Sequence, residues 1–458
     1  MWHYRGLLVI VHSLLNNNFD TNLNIYTNFF TMITLIAVIF IIGYAGIAFE
    51  HPLKINKSAT ALITGVLCWT VYILNAPDKG LVNNELSGNF SSVAQILFFL
   101  LGAMTIVELI DSHNGFAIIT EKITNTKKSS LLWMICFITF FLSAVLDNLT
   151  TTIVIVSLLR KLIKDPKERL MFAGMVVIAA NAGGAWTPIG DVTTTMLWIG
   201  NQITTVNIML KLLLPSLVCL LVPLTILSFK MKGHLERPNV AIEKHKEVLS
   251  LKQQKIVFYA GVGCLIMVPI FKTFTHLPPF MGILLGVGVL WVLTELMHKK
   301  KPHEMRMPFT VSHALHRIDT TSILFFLGIL ICISALESVG ILPSVALWMD
   351  KTIHNDSIIA MAIGVLSSIV DNVPLVAAAQ GMYNMAQYPT DHFFWEFLAF
   401  TAGTGGSILI IGSAAGVAAM GIEKIDFIWY LKNISWLAAI GFFAGCGTYL
   451  AQHYLLHI

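Results

Sequence analysis

The sequence predicts an all-α membrane protein: about ten transmembrane helices in an inverted repeat, with two re-entrant hairpins and two broken helices. Three observations lead there. The chain has 458 residues, of which 56% are hydrophobic and only 12% charged, half the charge of ordinary soluble domains at about 25%. Apolar runs near twenty residues, the length that spans a bilayer, recur along it. The third is a pair of matching stretches, "LSAVLDNLTTTIV" at 142–154 and "LSSIVDNVPLVAA" at 366–378, each burying an Asp-Asn pair in apolar sequence.

The candidate spans are 31–49, 59–75, 93–111, 170–203, 207–229, 256–275, 279–297, 320–339, 390–420 and 433–455. Two of them, 170–203 and 390–420, are too long for a plain span and carry glycine-rich interruptions, so they are expected to be broken. Basic residues cluster at Lys54/Lys57, Lys122/Lys127/Lys128, Arg160–Arg169, Lys230–Lys255, Lys299–Arg317 and Lys424/Lys432. Assigning these loops to the cytoplasm places 24 of the 29 Lys and Arg inside. The segment 130–159 then has both ends on one face. A hairpin dipping in and out, with Asp147 and Asn148 at its tip, is the economical solution. By the same count 357–387 enters and leaves from outside, so the two halves run in opposite senses.

Internal similarity supports the repeat. "LSAVLDN" and "LSSIVDN" agree at four of seven positions, "GGAWTPIG" (183–190) answers "GGSILIIG" (405–412), and "FFLLGAMTIVELIDSHNG" answers "FFLGILICISALESVG", in the same order. The expected organisation is an N-terminal extension (1–31), a first repeat (32–229), a cytoplasmic linker (230–255) and a second repeat (256–458). Residues 1–31 lack a small-residue cleavage site and suit the rest poorly, so a mobile extension, or an upstream start with Met32 as the natural one, is expected. "EKHKEVLSLKQQK" in the linker reads as a solvated surface helix. Cys68, Cys136, Cys219, Cys264, Cys332 and Cys446 all lie in apolar segments and form no CxxC pattern, which suggests neither a disulfide framework nor a metal site.

Asp147, Asp191 and Asp371 lie within apolar segments, and Glu108, Asp111 and Glu337 lie nearer span ends. An ionised Asp at a helix centre costs about 2.5–3.5 kcal/mol on insertion scales. Such a group must be protonated, paired or matched to a cation, and the hairpin centres hold no Lys or Arg. Around Asp147 lie Asn148, Thr150 and Thr151, with Ser143 one turn earlier; "NAGGAWTPIGDVTTT" adds Asn181, Thr187, Asp191 and Thr193. The second half supplies Asp371, Asn372, Thr404 and Ser407, with Ser413 nearby. This all-oxygen donor set suits a hard cation, and carboxylates sharing one small cavity repel, which favours a shared proton. The expected cargo site is Na+ at Asp147, Asn148 and Asp191. Each Asp also has a plain reading as a helix cap. Glu108, Asp111 and Glu337 are assigned supporting or gating roles. His113 reads as an interfacial histidine, and His298, His303, His313 and His316 as solvated surface.

"GTGGSILIIGSAAG" (403–416) lacks the GK[ST] ending of a phosphate loop and lies in a span. "PIGD" (188–191) is a poor match to an intramembrane aspartyl protease, which would need a second motif that is absent. Nothing calls for an enzyme, a cofactor or a nucleic-acid partner.

With these motifs stated, the sequence resembles the NhaD family of sodium/proton antiporters. "EHPLKINKSATALITGVLCW", "ELIDSHNGF", "SAVLDNLTTTIV" and "NAGGAWTPIGDVTT" carry the resemblance, which runs from Met32 to the C-terminus. It implies exchange of Na+, and Li+ as well, for H+ across a bacterial-type inner membrane. It implicates Asp147, Asn148, Thr150, Asn181, Asp191, Thr193, Asp371 and Asn372, and homodimers occur among related folds. Dicarboxylate, citrate or arsenite carriers of similar architecture are the alternative. Their hairpin tips typically show Ser-Asn-Thr, whereas both tips here carry Asp.

Overall fold

The computed structural model describes residues 19–120, 123, 125–236 and 249–455. Most of the expected N-terminal extension and residues 237–248 of the linker lie outside these. The labelled helices are α1 (Phe19–Ala48), α2 (Lys57–Asn75), α3 (Lys79–Ser112), α4 (Lys128–Leu146), α5 (Asn148–Leu162), α6 (Pro166–Gly184), α7 (Val192–Ile199), α8 (Thr205–Lys230), α9 (Leu251–Thr275) and α10 (Pro279–His298). They continue as α11 (Val311–Arg317), α12 (Thr320–Ser338), α13 (Ile341–Ile353), α14 (Asp356–Leu366), α15 (Asn372–Met382), α16 (Phe393–Gly405), α17 (Ala414–Glu423), α18 (Phe427–Asn433) and α19 (Ser435–Leu455).

The protein is an all-α membrane protein. Among the described residues eight helices are long and apolar enough to cross a bilayer, or nine if the bent pair α18 and α19 makes one span. About ten were expected. The two glycine-interrupted segments account for the difference: α7, α16 and α17 are only 8, 13 and 10 residues long, and α6, at 19, opens on the charged Lys167, Glu168 and Arg169. Conversely α4, the first arm of the first Asp-Asn segment, qualifies alone at 19 residues. Large side chains such as Phe30, Ile42, Leu210, Phe274 and Leu296 are exposed on these helices, as expected where lipid takes the place of a protein core.

Local sequence fixes the helix ends. Asp165 accepts from Lys167 N at 3.0 Å just ahead of Pro166, a residue that fits a first helical position. Ser250 and Gln253 form a reciprocal capping box. The stretch "LSLKQQK", expected to continue a surface helix, thus holds the cap and first turn of the α9 span.

The chain divides into two compact units, residues 1–93 with 324–345, and 94–323 with 346–458. In the first, α1 packs on α2, and α2 meets α12 where Gly65 lies against the Gly328 carbonyl. The Trp69 indole donates to Ile331 O at 2.9 Å.

The second unit holds both Asp-Asn segments and both broken helices. α4 packs on α6 and α14 on α16, while α5 packs on α17 and α7 on α15. Each Asp-Asn segment therefore sets its first arm against its own half's broken helix, while its second arm packs against the broken helices of both halves. Equivalent bonds recur about 222–224 residues apart: Ser143 Oγ donates to Ala180 O at 2.6 Å, and Ser367 Oγ to Ala402 O at 2.8 Å.

An ion cluster ties one end of this unit. The Glu423 carboxylate, 2% exposed, receives Arg160 Nε at 2.7 Å and Arg169 Nε at 2.6 Å. These groups come from α17, α5 and α6. Glu423→Gln leaves a nearly buried guanidinium without its anion, a loss of about 3 kcal/mol. The expected result is a lower midpoint of thermal unfolding in detergent; an unchanged midpoint would show the cluster to be dispensable.

Candidate functional site

Four helix N-termini are linked near the middle of the second unit, and each begins on a side-chain cap. Asp147 ends α4 and starts α5, with φ 90°. An L-residue held there is strained by about 1–2 kcal/mol, and its side chain supplies compensation. Oδ1 accepts from Thr150 N and Oδ2 from Thr150 Oγ1, both at 2.8 Å. Asp371 caps α15, accepting from Val373 N at 3.2 Å. Asp191 caps α7, accepting from Thr193 N at 3.3 Å. Ser413 caps α17, accepting from Gly416 N at 3.2 Å. The capping reading of the aspartates is therefore correct as far as it goes.

Links between the caps make this one site. Asn148 Nδ2 donates to Asn181 Oδ1 at 3.0 Å, and Asn181 Nδ2 donates to Ser413 Oγ at 3.0 Å. This chain runs from the first half to the second. On the other side Asn372 Nδ2 lies 3.4 Å from Asp191 Oδ2, and Gly403 adjoins the same oxygen. Asp147 and Asp371 are both close enough for their charges to act on Asp191. Asp191 is 2% exposed, while Asp147 and Asp371 are partly buried. Asn148, Asn181, Thr151, Thr193 and Asn372 are buried. The hydroxyls of Thr151, Thr152 and Thr193 have no hydrogen-bond partner, which is costly for buried polar atoms and frees them for another oxygen-seeking group.

Three of the remaining predicted residues, Thr187, Thr404 and Ser407, hold backbone. Thr187 Oγ1 donates to Ala144 O at 2.7 Å, fastening the broken helix to the first tip. Thr404 Oγ1 donates to Phe400 O and Ser407 Oγ to Thr404 O, each at 2.6 Å. Ser407 O in turn accepts from Tyr430 OH at 2.8 Å. Glu108 and Asp111 lie at the end of α3, where Arg317 Nη1 is 2.8 Å from Glu108 and Arg317 Nη2 is 3.9 Å from Asp111. Glu337 is exposed and belongs to the first unit.

Sequence reasoning passed over two buried acids and misplaced one histidine. Glu396 in α16 is 2% exposed; it accepts from Tyr449 OH at 2.6 Å and from Asn207 Nδ2. Its position inside "FFWEFLAF" was the available signal, as was the place of Glu423 at the end of an apolar helix. His298, read as solvated surface, is 1% exposed and lies against His113. A histidine closing a transmembrane helix was taken with the basic loop that follows it.

Helices broken around clustered acids suit membrane transporters, and comparison places the chain among them. The citrate transporter family (CitMHS) matches residues 44–405. Sodium/proton antiporter 1 of Arabidopsis thaliana is 52% identical over 421 residues, 92% of this chain and 72% of that protein. Sodium/proton antiporter 2 of the same plant is 50% identical, covering 91% and 99%. The Na(+)/H(+) antiporter NhaD of Vibrio cholerae is 30% identical over 88% of each chain. The protein is a membrane transporter of the CitMHS family, not an enzyme. Within that family it belongs to the NhaD-type sodium/proton antiporters.

Proposed function

We propose that this protein exchanges Na+ for H+ at the linked caps, the two ions competing for Asp147, Asp191 and Asp371. The observation that carries this is the identity of the caps. A helix N-terminus is worth roughly half a positive charge, so four together favour an anion by about two charges. That suits the citrate in the family's description. Here three of the four caps are carboxylates. Their three negative charges reverse the balance to about one net negative charge, which disfavours a di- or tricarboxylate and fits one Na+ or a proton.

In the proposed cycle Asp191 and Asp147 bind Na+ together with the Asn148 amide oxygen and the unpartnered hydroxyls of Thr151 and Thr193. Protonation of the carboxylates releases it. Asp371 and Asn372 complete the site from the second half. Thr150, Asn181 and Ser143 hold the ligands in place; Thr187, Thr404 and Ser407 hold the broken backbones. The two Asp-Asn segments act as re-entrant hairpins in an inverted repeat, which gives the site alternate access to each side. Li+, close to Na+ in chemistry, shares the site. The protein works as a homodimer in an inner membrane of bacterial type, with the central basic loop cytoplasmic.

Three measurements test this. Asp147→Asn is expected to abolish Na+-dependent proton movement in proteoliposomes with normal insertion; retained exchange removes Asp147 from the mechanism. Calorimetric Na+ affinity of the wild type should weaken as pH falls, because protons occupy the same carboxylates. An affinity indifferent to pH ends the competition scheme. A pH change on adding citrate without Na+ favours the anion reading instead.

A further inference from the structure

We propose that His113 and His298 form a proton-sensitive latch joining the ends of α3 and α10, and that opening it limits exchange in acid. The inference rests on the exchange reading above and adds a control outside the ion site.

The two rings meet Nε2 to Nε2 at 3.0 Å. His113 Nδ1 is 2.7 Å from Leu109 O. A carbonyl only accepts, so this nitrogen carries the hydrogen, and neutral His113 presents a bare Nε2. His298 must then donate through its own Nε2–H, which leaves its Nδ1 bare. That Nδ1 is buried and has no hydrogen-bond partner. Phe309 covers both rings, 5.1 Å from His113 and 4.9 Å from His298.

An added proton has one place to go, His298 Nδ1, and there it finds no acceptor. The charged groups acting on the pair are cationic as well: Lys301 on both rings and Arg306 on His298. The acids at the end of α3 are engaged by Arg317, and α9 contributes apolar Phe258 beside Gly115. A buried cation in these surroundings is unstable. The ring relieves it by turning out to water, which breaks the contact with His113. α4 follows His113 in the chain and ends at Leu146, next to Asp147.

The sign follows. Both rings are neutral when the latch is closed, so its contribution is complete above the ordinary imidazole value of about 6.5 and is lost as pH falls below it. His298→Gln tests this, because a glutamine amide donates to His113 and does not titrate. In proteoliposomes at saturating Na+, which removes competition at the carboxylates, wild-type exchange is expected to fall in acid. His298→Gln should carry that limb at least about half a pH unit lower and match the wild type at alkaline pH. Superimposed profiles overturn the latch, whereas absence of any Na+-driven pH change in the wild type overturns the exchange reading. A readout independent of transport is thermal unfolding in detergent. The wild type should lose more stability than His298→Gln between pH 7 and pH 5.5, roughly the range across which an imidazole charges. Equal losses overturn the latch.

Discussion

Asp191→Asn is expected to leave a folded, membrane-inserted protein whose Na+-dependent proton exchange falls by roughly 100-fold or more. Asparagine is as good a cap as aspartate, so the bond from Thr193 N to the start of α7 survives. What disappears is the charge. A unit charge about 4 Å from a cation, at an effective dielectric near 20, contributes about 4 kcal/mol, close to a thousandfold in affinity. Partial compensation by Asp147 and Asp371, which act on the same site, brings the expected loss to the lower figure. Asp191 is the most buried of the three carboxylates, and it receives the cross-half contact from Asn372. It is therefore the position where removing the charge should matter most. Proteoliposome exchange at several Na+ concentrations checks this. Wild-type rates at every concentration would remove Asp191 from the ion path. Recovery at high Na+ would show that it contributes affinity alone.

Much of this site was legible because membranes make polar residues conspicuous. A lone charge in a long uncharged segment has few explanations, and Asp147, Asp191 and Asp371 stand out on that ground. The glycines and Pro188 also marked where the helices break. Three things were less legible. Position 413 in the second half answers position 191 in the first, and Ser413, expected only as a nearby oxygen, caps α17. Its link to Asn181 joins positions 232 residues apart, which spacing alone does not reveal. The two long runs break as expected, but the lengths of their pieces were not legible: α7, α16 and α17 are too short to cross, whereas α4, expected as one arm of a hairpin, is long enough on its own. Burial of His298 depends on Phe309, which folds back from the following loop to cover it. The basic residues around that loop pointed toward water.

Gly183→Val is expected to be among the most damaging substitutions of an uncharged residue in the second unit. Gly183 lies against the backbone of Phe140. A Cβ added there would come within 2.7 Å of Phe140 Cα and 2.8 Å of its carbonyl carbon, and closer still to the oxygen. These atoms belong to the middle of α4, so no flexible side chain can give way. The second half repeats the arrangement, with Gly405 against the Gly364 carbonyl. Overpacking typically costs 1–3 kcal/mol where side chains can adjust, and a backbone clash stands at or above the top of that range. The alternative to unfolding is separation of α6 from α4. That would disturb both fastenings between them, Ser143 to Ala180 and Thr187 to Ala144, and shift Asn181 from Asn148. Either way exchange is lost, and detergent-solubilised Gly183→Val should unfold well below the wild type. Gly263→Ala is the control, because a Cβ there meets nothing within 4 Å; it should leave stability and exchange unchanged. If Gly183→Val were equally silent, the close packing of α4 on α6 would not be what holds the acids together.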